Sequence, residues 1–210
     1  MKITNSMFDA EIELRSDEDK KTLTGYAAKF DSLSVPLFGF REKIRKGAFA
    51  NSIKKNNIRS LWNHNTDFVL GSTKNKTLQL EEDDKGLRFE LDLPDTQAGR
   101  DAAVSVSRKD VDGMSFSFEV KKEEWDETKK DNVIRTLIEV DLKEVSPTAF
   151  PAYPKSSVVA RSVKDDYEDY TEEKRSMEEK EQKAEEEKQK AINNLELNKQ
   201  KESILEKEML

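Results

Sequence analysis

All seven glycines and all five prolines of this 210-residue chain lie at or before Pro154. Beyond Val163 the text, KDDYEDYTEEKRSMEEKEQKAEEEKQKAINNLELNKQKESILEKEML, is built of strong helix formers with no breaker. A stretch without turn residues cannot fold back on itself, so it is either an extended helix or an unfolded tail. Only the part before it has the punctuation to close a compact core. This sets a boundary between 1–162 and 163–210. The tail carries 10 Lys and Arg against 16 Asp and Glu, a net of −6, which leaves 27 against 28, a net of −1, for the body. Met177, Ala184 and Ala191 fall seven apart, and Ile192, Leu195, Ile204 and Leu205 crowd the end. Alanines make a poor coiled-coil seam, so the tail reads as a charged, solvated helix, a weak coiled coil, or a disordered segment that folds on a partner.

The body has a different rhythm. FDAEIEL (8–14), TLTGYAAKF (22–30), IRSLW (58–62), TLQLEE (77–82), LRFELDL (87–93), MSFSFEV (114–120) and VIRTLIEVDL (133–142) are short, rich in β-branched or aromatic residues, and often alternate. Such runs, bounded by charged or glycine-bearing turns, predict strands. KGAFANSIKK (46–55) and the segment 96–110, opened by Pro94, Asp95 and Thr96 in capping order, predict helices. The expected fold class is α+β: a β-rich core with flanking helices, then the charged tail.

Composition removes several chemistries. With no cysteine there is no disulfide, thiol nucleophile or thiolate-bound zinc, and no phosphate-cradling glycine loop or dinucleotide fingerprint appears. No cofactor or metal is therefore expected. A nearly neutral body, despite KIRK at 43–46, does not predict a nucleic-acid partner. No apolar run reaches bilayer length and the N-terminus has no signal-like apolar stretch, so a soluble, intracellular protein is expected, without a membrane partner. Paired-carboxylate catalysis has abundant acids, but no spacing selects two of them.

Nucleophilic catalysis would then need a hydroxyl activated by His64, the single histidine, which sits in LWNHN at 61–65. A histidine there also suits a polar turn. Yet it is the one side chain able to take a proton from a hydroxyl and return it to a leaving amine near neutral pH without a large pKa shift. DGMSFSFEV (112–120) offers Ser115 between Met114 and Phe116, just after Gly113, which permits close backbone approach or an unusual dihedral. Serine on an alternating strand is more commonly a surface position. A third group would orient the imidazole; with no second histidine it is a carboxylate, water or backbone, and Glu139, Asp141 and Glu144, near the end of the last strand, are the candidates.

Taken together, GYAAKFDS (25–32), GFREKIRKGAFANSI (39–53), LWNHNTDFVLGST (61–73), LPDTQAGRDA (93–102), DVDGMSFSFEV (110–120) and LKEVSPTAFPAYPKS (142–156) resemble, in this order, the prohead (capsid maturation) serine proteases of tailed phages, a group related in fold to the herpesvirus assemblins. The resemblance covers residues 8–160. It implies a barrel-like peptidase acting by acyl transfer on major capsid or scaffold protein, inside the assembling procapsid in the host bacterial cytoplasm. It also implies homodimers or higher self-association. Carried onto this chain, the histidine of the W-N-H motif is His64, the nucleophile of the G-(M/L)-S motif is Ser115, and the third member, by position in the E-V-S segment, is Glu144, with Asp141 in reserve. Assemblins use a second histidine there, which this chain lacks. The family often has glycine where Ser117 stands and an acid where Asn65 stands; Ser117 adds a second hydroxyl on the same strand face. The tail would dock on scaffold or capsid protein, or be removed by self-cleavage. The rival reading is a catalytically silent capsid-assembly or scaffold component acting through its helical tail.

Overall fold

The computed structural model of the chain describes residues 4–5, 10–17, 20–34, 36–37, 39–128, 133–149 and 157–208. In chain order the elements are β1 (Thr4–Asn5), β2 (Glu11–Asp17), β3 (Lys20–Lys29), β4 (Phe40–Ile44), α1 (Ala50–Lys55), β5 (Arg59–Trp62), β6 (Asn65–Ser72), β7 (Leu78–Glu82), β8 (Gly86–Asp92), α2 (Gln97–Ser107), β9 (Gly113–Asp126), β10 (Val133–Thr148) and α3 (Ser157–Glu208). The fold is α+β and dominated by strands. Each expected strand has a counterpart, although residues 8 and 9 of the first lie outside the described residues. The helix expected over 46–55 is shorter, because Gly47 takes a φ of +93° that an α-helix cannot contain. The other begins as expected: Thr96 caps α2, its hydroxyl accepting from the Gly99 N–H at 3.2 Å.

The strands form two sheets. One runs β1-β9-β10-β5-β6, with β4 also paired to β10; the other runs β2-β3-β8-β7. β9 and β10 are an antiparallel pair, while β4 and β5 both lie parallel to β10, against its first and second halves respectively. Period-two alternation then divides β9 and β10 into two faces. Met114, Phe116, Phe118, Leu142 and Val145 enter one core with Leu23, Leu87, Phe89 and Leu91 of the second sheet, and with Phe49, Ala102 and Val106. Phe49 meets Phe116 edge-on at 5.5 Å between ring centroids. Ser115, Ser117, Glu144 and Ser146 fall on the other face.

The barrel-like closure expected from the family resemblance is not present: both sheets are open, and no ladder among the described residues joins them. Packing the two apolar faces into a shared core, with α1 and α2, already removes them from water, so burial does not require edge-to-edge closure. The exposed edge β2 carries Glu11, Glu13 and Arg15, charges that discourage pairing with another chain. At its inner side, Gly25 lets β2 approach β3: a Cβ there would lie 1.9 Å from the Glu11 carbonyl oxygen.

The chain divides into two compact units, Met1–Lys164 and Asp165–Leu210. The second is helical to Glu208, and Met177, Ala184 and Ala191, the residues of the seven-residue step, are all exposed. Leu195, Ile204 and Leu205 lie beyond the described side chains. No helix among the described residues is long and apolar enough to cross a membrane.

Candidate active site

The β5–β6 hairpin turns on two residues, Asn63 and His64, between the paired residues Trp62 and Asn65. Both take left-handed backbone, with φ of 53° and 61°. Two-residue hairpin turns of the mirror-image type require this, and their preferred sequence is Asn-Gly, because glycine has no Cβ to strain. Asparagine fits the first position. Histidine occupies the second at a conformational cost of about 1 kcal/mol.

Three hydrogen bonds tie this turn to the last residues of β10. The Asn63 N–H donates to the Pro147 carbonyl at 3.0 Å, the Thr148 hydroxyl to Oδ1 of Asn63 at 2.7 Å, and the His64 N–H to Oγ of Ser146 at 3.3 Å. They bring the imidazole over the polar face of β9 and β10. There Nδ1 of His64 lies 2.6 Å from Oε1 of Glu144. An ionised carboxylate only accepts, so this contact fits an imidazole that carries a proton on Nδ1; in the neutral tautomer with that proton the lone pair lies on Nε2.

Glu144 has two further donors. The Ser117 hydroxyl bonds Oε1 and the Ser146 hydroxyl bonds Oε2, each at 2.5 Å. The register explains both. Ser117 is directly opposite Glu144 across the β9–β10 ladder, and Ser146 is two residues on along β10, on the same face. Glu144 is 7% exposed, and burying a carboxyl group so completely is costly unless hydrogen-bond donors meet it.

Ser115 pairs across the ladder with Ser146, whose hydroxyl also accepts from the His64 main chain. Its own hydroxyl differs from its neighbours. Ser115 is fully buried, and Oγ has no hydrogen-bond partner among the described residues. Nearly all buried hydroxyls in folded proteins are bonded, and one left unmade costs about 1–3 kcal/mol. Gly113, where the sequence allowed a close backbone approach or an unusual dihedral, is a strand residue paired with Thr148. The unusual backbone is at His64.

The other two carboxylates considered are engaged elsewhere. Glu139 accepts from Nδ2 of Asn51 at 2.8 Å. Asp141 is bonded by Lys143 at 2.8 Å and by Asn56, and the Lys143 ammonium, with Asn56 in support, holds its carboxyl below the usual value. Of the three, Glu144 is the one that meets His64. Sequence reasoning missed Ser117 and Ser146 as donors to this carboxylate. Ser117 stood out only as a second hydroxyl beside Ser115, and Ser146 not at all, because the pairing that brings both to Glu144 is set by register.

The site can therefore present an imidazole held through Nδ1, a buried carboxylate beneath it and, on the same strand face, a serine hydroxyl without a partner among the described residues. The sequence profile described as caudovirus prohead serine protease matches residues 10–173. Neither the curated proteins nor the solved structures contain a match to the chain. Spanning most of the chain and both halves of this site, the profile match shows that the chain belongs to the caudovirus prohead serine proteases and is a serine peptidase.

Proposed function

We propose that this peptidase cleaves capsid or scaffold protein, and itself, within the assembling procapsid, with Ser115 as nucleophile, His64 as general base and Glu144 as the group that orients the imidazole. Nε2 of His64 takes the Ser115 proton as Oγ bonds to the scissile carbonyl carbon. The imidazolium, held by the Glu144 carboxylate, then returns that proton to the amine as the C–N bond breaks. Water, deprotonated by the same imidazole, attacks the resulting ester and releases the acid, restoring the hydroxyl.

The observation that carries this reading is the contrast among three serines on one face. Ser117 and Ser146 spend their hydroxyl protons on Glu144, whereas Ser115 keeps its own unpaired and free for the base. That favours Ser115 over Ser117 as nucleophile. With one histidine, the third place falls to a carboxylate, and kinship in fold with the assemblins belongs to the same proposal. So does the division into a peptidase body over 1–162 and a tail over 163–210 that docks on scaffold or capsid protein or is removed on maturation.

The test is an intact-mass time course of wild type and Ser115→Ala, each alone and with the cognate capsid or scaffold protein. Fragments in wild type that are missing from the variant are expected. Equal cleavage by both would overturn the assignment of Ser115.

A further inference from the structure

The Glu144 carboxylate has more donors than a simple three-residue relay needs. Oε1 is shared between Nδ1 of His64 and the Ser117 hydroxyl, and Oε2 is taken by the Ser146 hydroxyl. Ser146 acts twice, since its oxygen also accepts from the His64 N–H. One hydroxyl thus joins the two parts of the site that come from different strand pairs, the β5–β6 turn and β10. The side chains concerned are nearly closed to solvent, with Ser146 at 0%, Glu144 at 7% and Ser117 at 8% exposure. Water is therefore poorly placed to substitute for either hydroxyl.

Resting on the roles proposed above for His64 and Glu144, we propose that Ser117 and Ser146 are positioning residues of the peptidase: their hydroxyls fix the Glu144 carboxylate beneath His64, and Ser146 in addition fixes the turn that carries the histidine. A carboxylate with one donor rotates about its last torsion. With both oxygens engaged from opposite sides, its plane is set, and Oε1 is presented to Nδ1. The imidazole is otherwise held by a left-handed turn at the sheet margin, so without this seat Nε2 would sample orientations away from Ser115. Misplacement of this kind lowers the rate of the proton-transfer step more than it weakens substrate binding.

The experiment uses the full chain as wild type, Ser117→Ala, Ser117→Thr and Ser146→Ala, with thermal melts to confirm folding. Steady-state kinetics are measured on a peptide spanning a cleavage site mapped by mass. The imidazole is followed by nitrogen-edited NMR, where the spectrum is unambiguous because His64 is the only histidine. The expectation is a loss of about tenfold in kcat for each alanine variant, with KM within about twofold, and recovery of most of the rate in Ser117→Thr. The Nδ1–H resonance should move in both alanine variants and return in Ser117→Thr. This arm requires no turnover. An unmoved resonance, an unchanged kcat, or a threonine variant no better than alanine would overturn the proposal. Failure of the underlying reading looks different: loss of all cleavage in Ser117→Ala with retention in Ser115→Ala would make Ser117 the nucleophile.

Discussion

The left-handed backbone at His64 makes a prediction that separates the needs of the fold from those of the chemistry. In a Ser115→Ala background, chosen because the proposed mechanism would then allow no self-cleavage, His64 is replaced by alanine or by glycine. Both variants lose the imidazole and its 2.6 Å contact with Glu144, so that loss cancels between them. What remains is the backbone. At a φ of 61° alanine keeps a strain of about 1–2 kcal/mol that glycine does not have. Glycine also gains freedom in the unfolded chain, which offsets about 0.4–1 kcal/mol. The balance favours His64→Gly over His64→Ala by about 0.5–1 kcal/mol, or a melting temperature roughly 1–4 °C higher for a domain of this size. Circular dichroism melts at one concentration and pH measure it. Against the parent, glycine should be nearly neutral, because strain relief offsets the lost bond to a histidine side chain that is 28% exposed. An alanine variant melting at or above the glycine variant would show that the turn imposes no such constraint, and the argument that function holds histidine there would fall.

Three other predictions rest on different contacts. Ser115→Ala removes an unbonded buried hydroxyl while nearly keeping the side chain's shape, so it should abolish cleavage yet leave the protein as stable as wild type or more so by up to about 1 kcal/mol in urea titration; a loss beyond about 1 kcal/mol would mean that the hydroxyl has a structural partner. Arg135, 2% exposed, bonds Glu42 at 3.2 Å and Glu123 at 2.6 Å, so Arg135→Ala, which takes the guanidinium from a carboxylate that is 1% exposed, should cost about 3 kcal/mol or more, read from the same titration. Asp141 is held below its ordinary value of 3.8 chiefly by Lys143, so its contribution is complete above that value and is lost as pH falls through the lowered one. Asp141→Asn should therefore lower stability at pH 7, and its difference from the parent should shrink as pH falls below 3.8 and through the lowered value; a loss that does not shrink would assign the effect to packing.

Much of this fold could be read from period-two runs bounded by turn residues, and the exceptions have local causes. β4, FREKI, was hidden because one of its inward positions is Glu42, which breaks the apolar alternation and makes sense only once Arg135 faces it from β10, 93 residues away. β6 begins with exposed Asn65, Thr66 and Asp67 and becomes buried only from Leu70, so its start resembles a loop. β10 continues through Pro147, a residue that argues against a strand, because the segment of β10 that carries it lies at the end of the ladder. For the site, His64 was visible by being alone in composition. Ser115 and Glu144 stood among the candidates of their segments, and the family resemblance singled them out. The two hydroxyls that seat Glu144 could not be found that way, because which serine faces which carboxylate depends on a cross-strand register containing several irregularities between Leu137 and Glu144.

Three departures from local rules meet at one place in this body. A histidine stands where a hairpin turn favours glycine, a buried serine hydroxyl is left unbonded, and a carboxylate is enclosed on the polar face of a strand pair. The first two together forgo about 2–4 kcal/mol, a large part of the 5–15 kcal/mol that keeps a typical domain folded. Nothing in the packing of the core requires any of the three. Asn-Gly would make a better turn, alanine would satisfy position 115, and an uncharged residue would sit more cheaply at 144. Each of the better-folding alternatives would remove one of the groups proposed above for acyl transfer: the base His64, the nucleophile Ser115 or the carboxylate of Glu144. Sites where every local choice opposes stability in the same small volume are where function, rather than folding, sets the sequence.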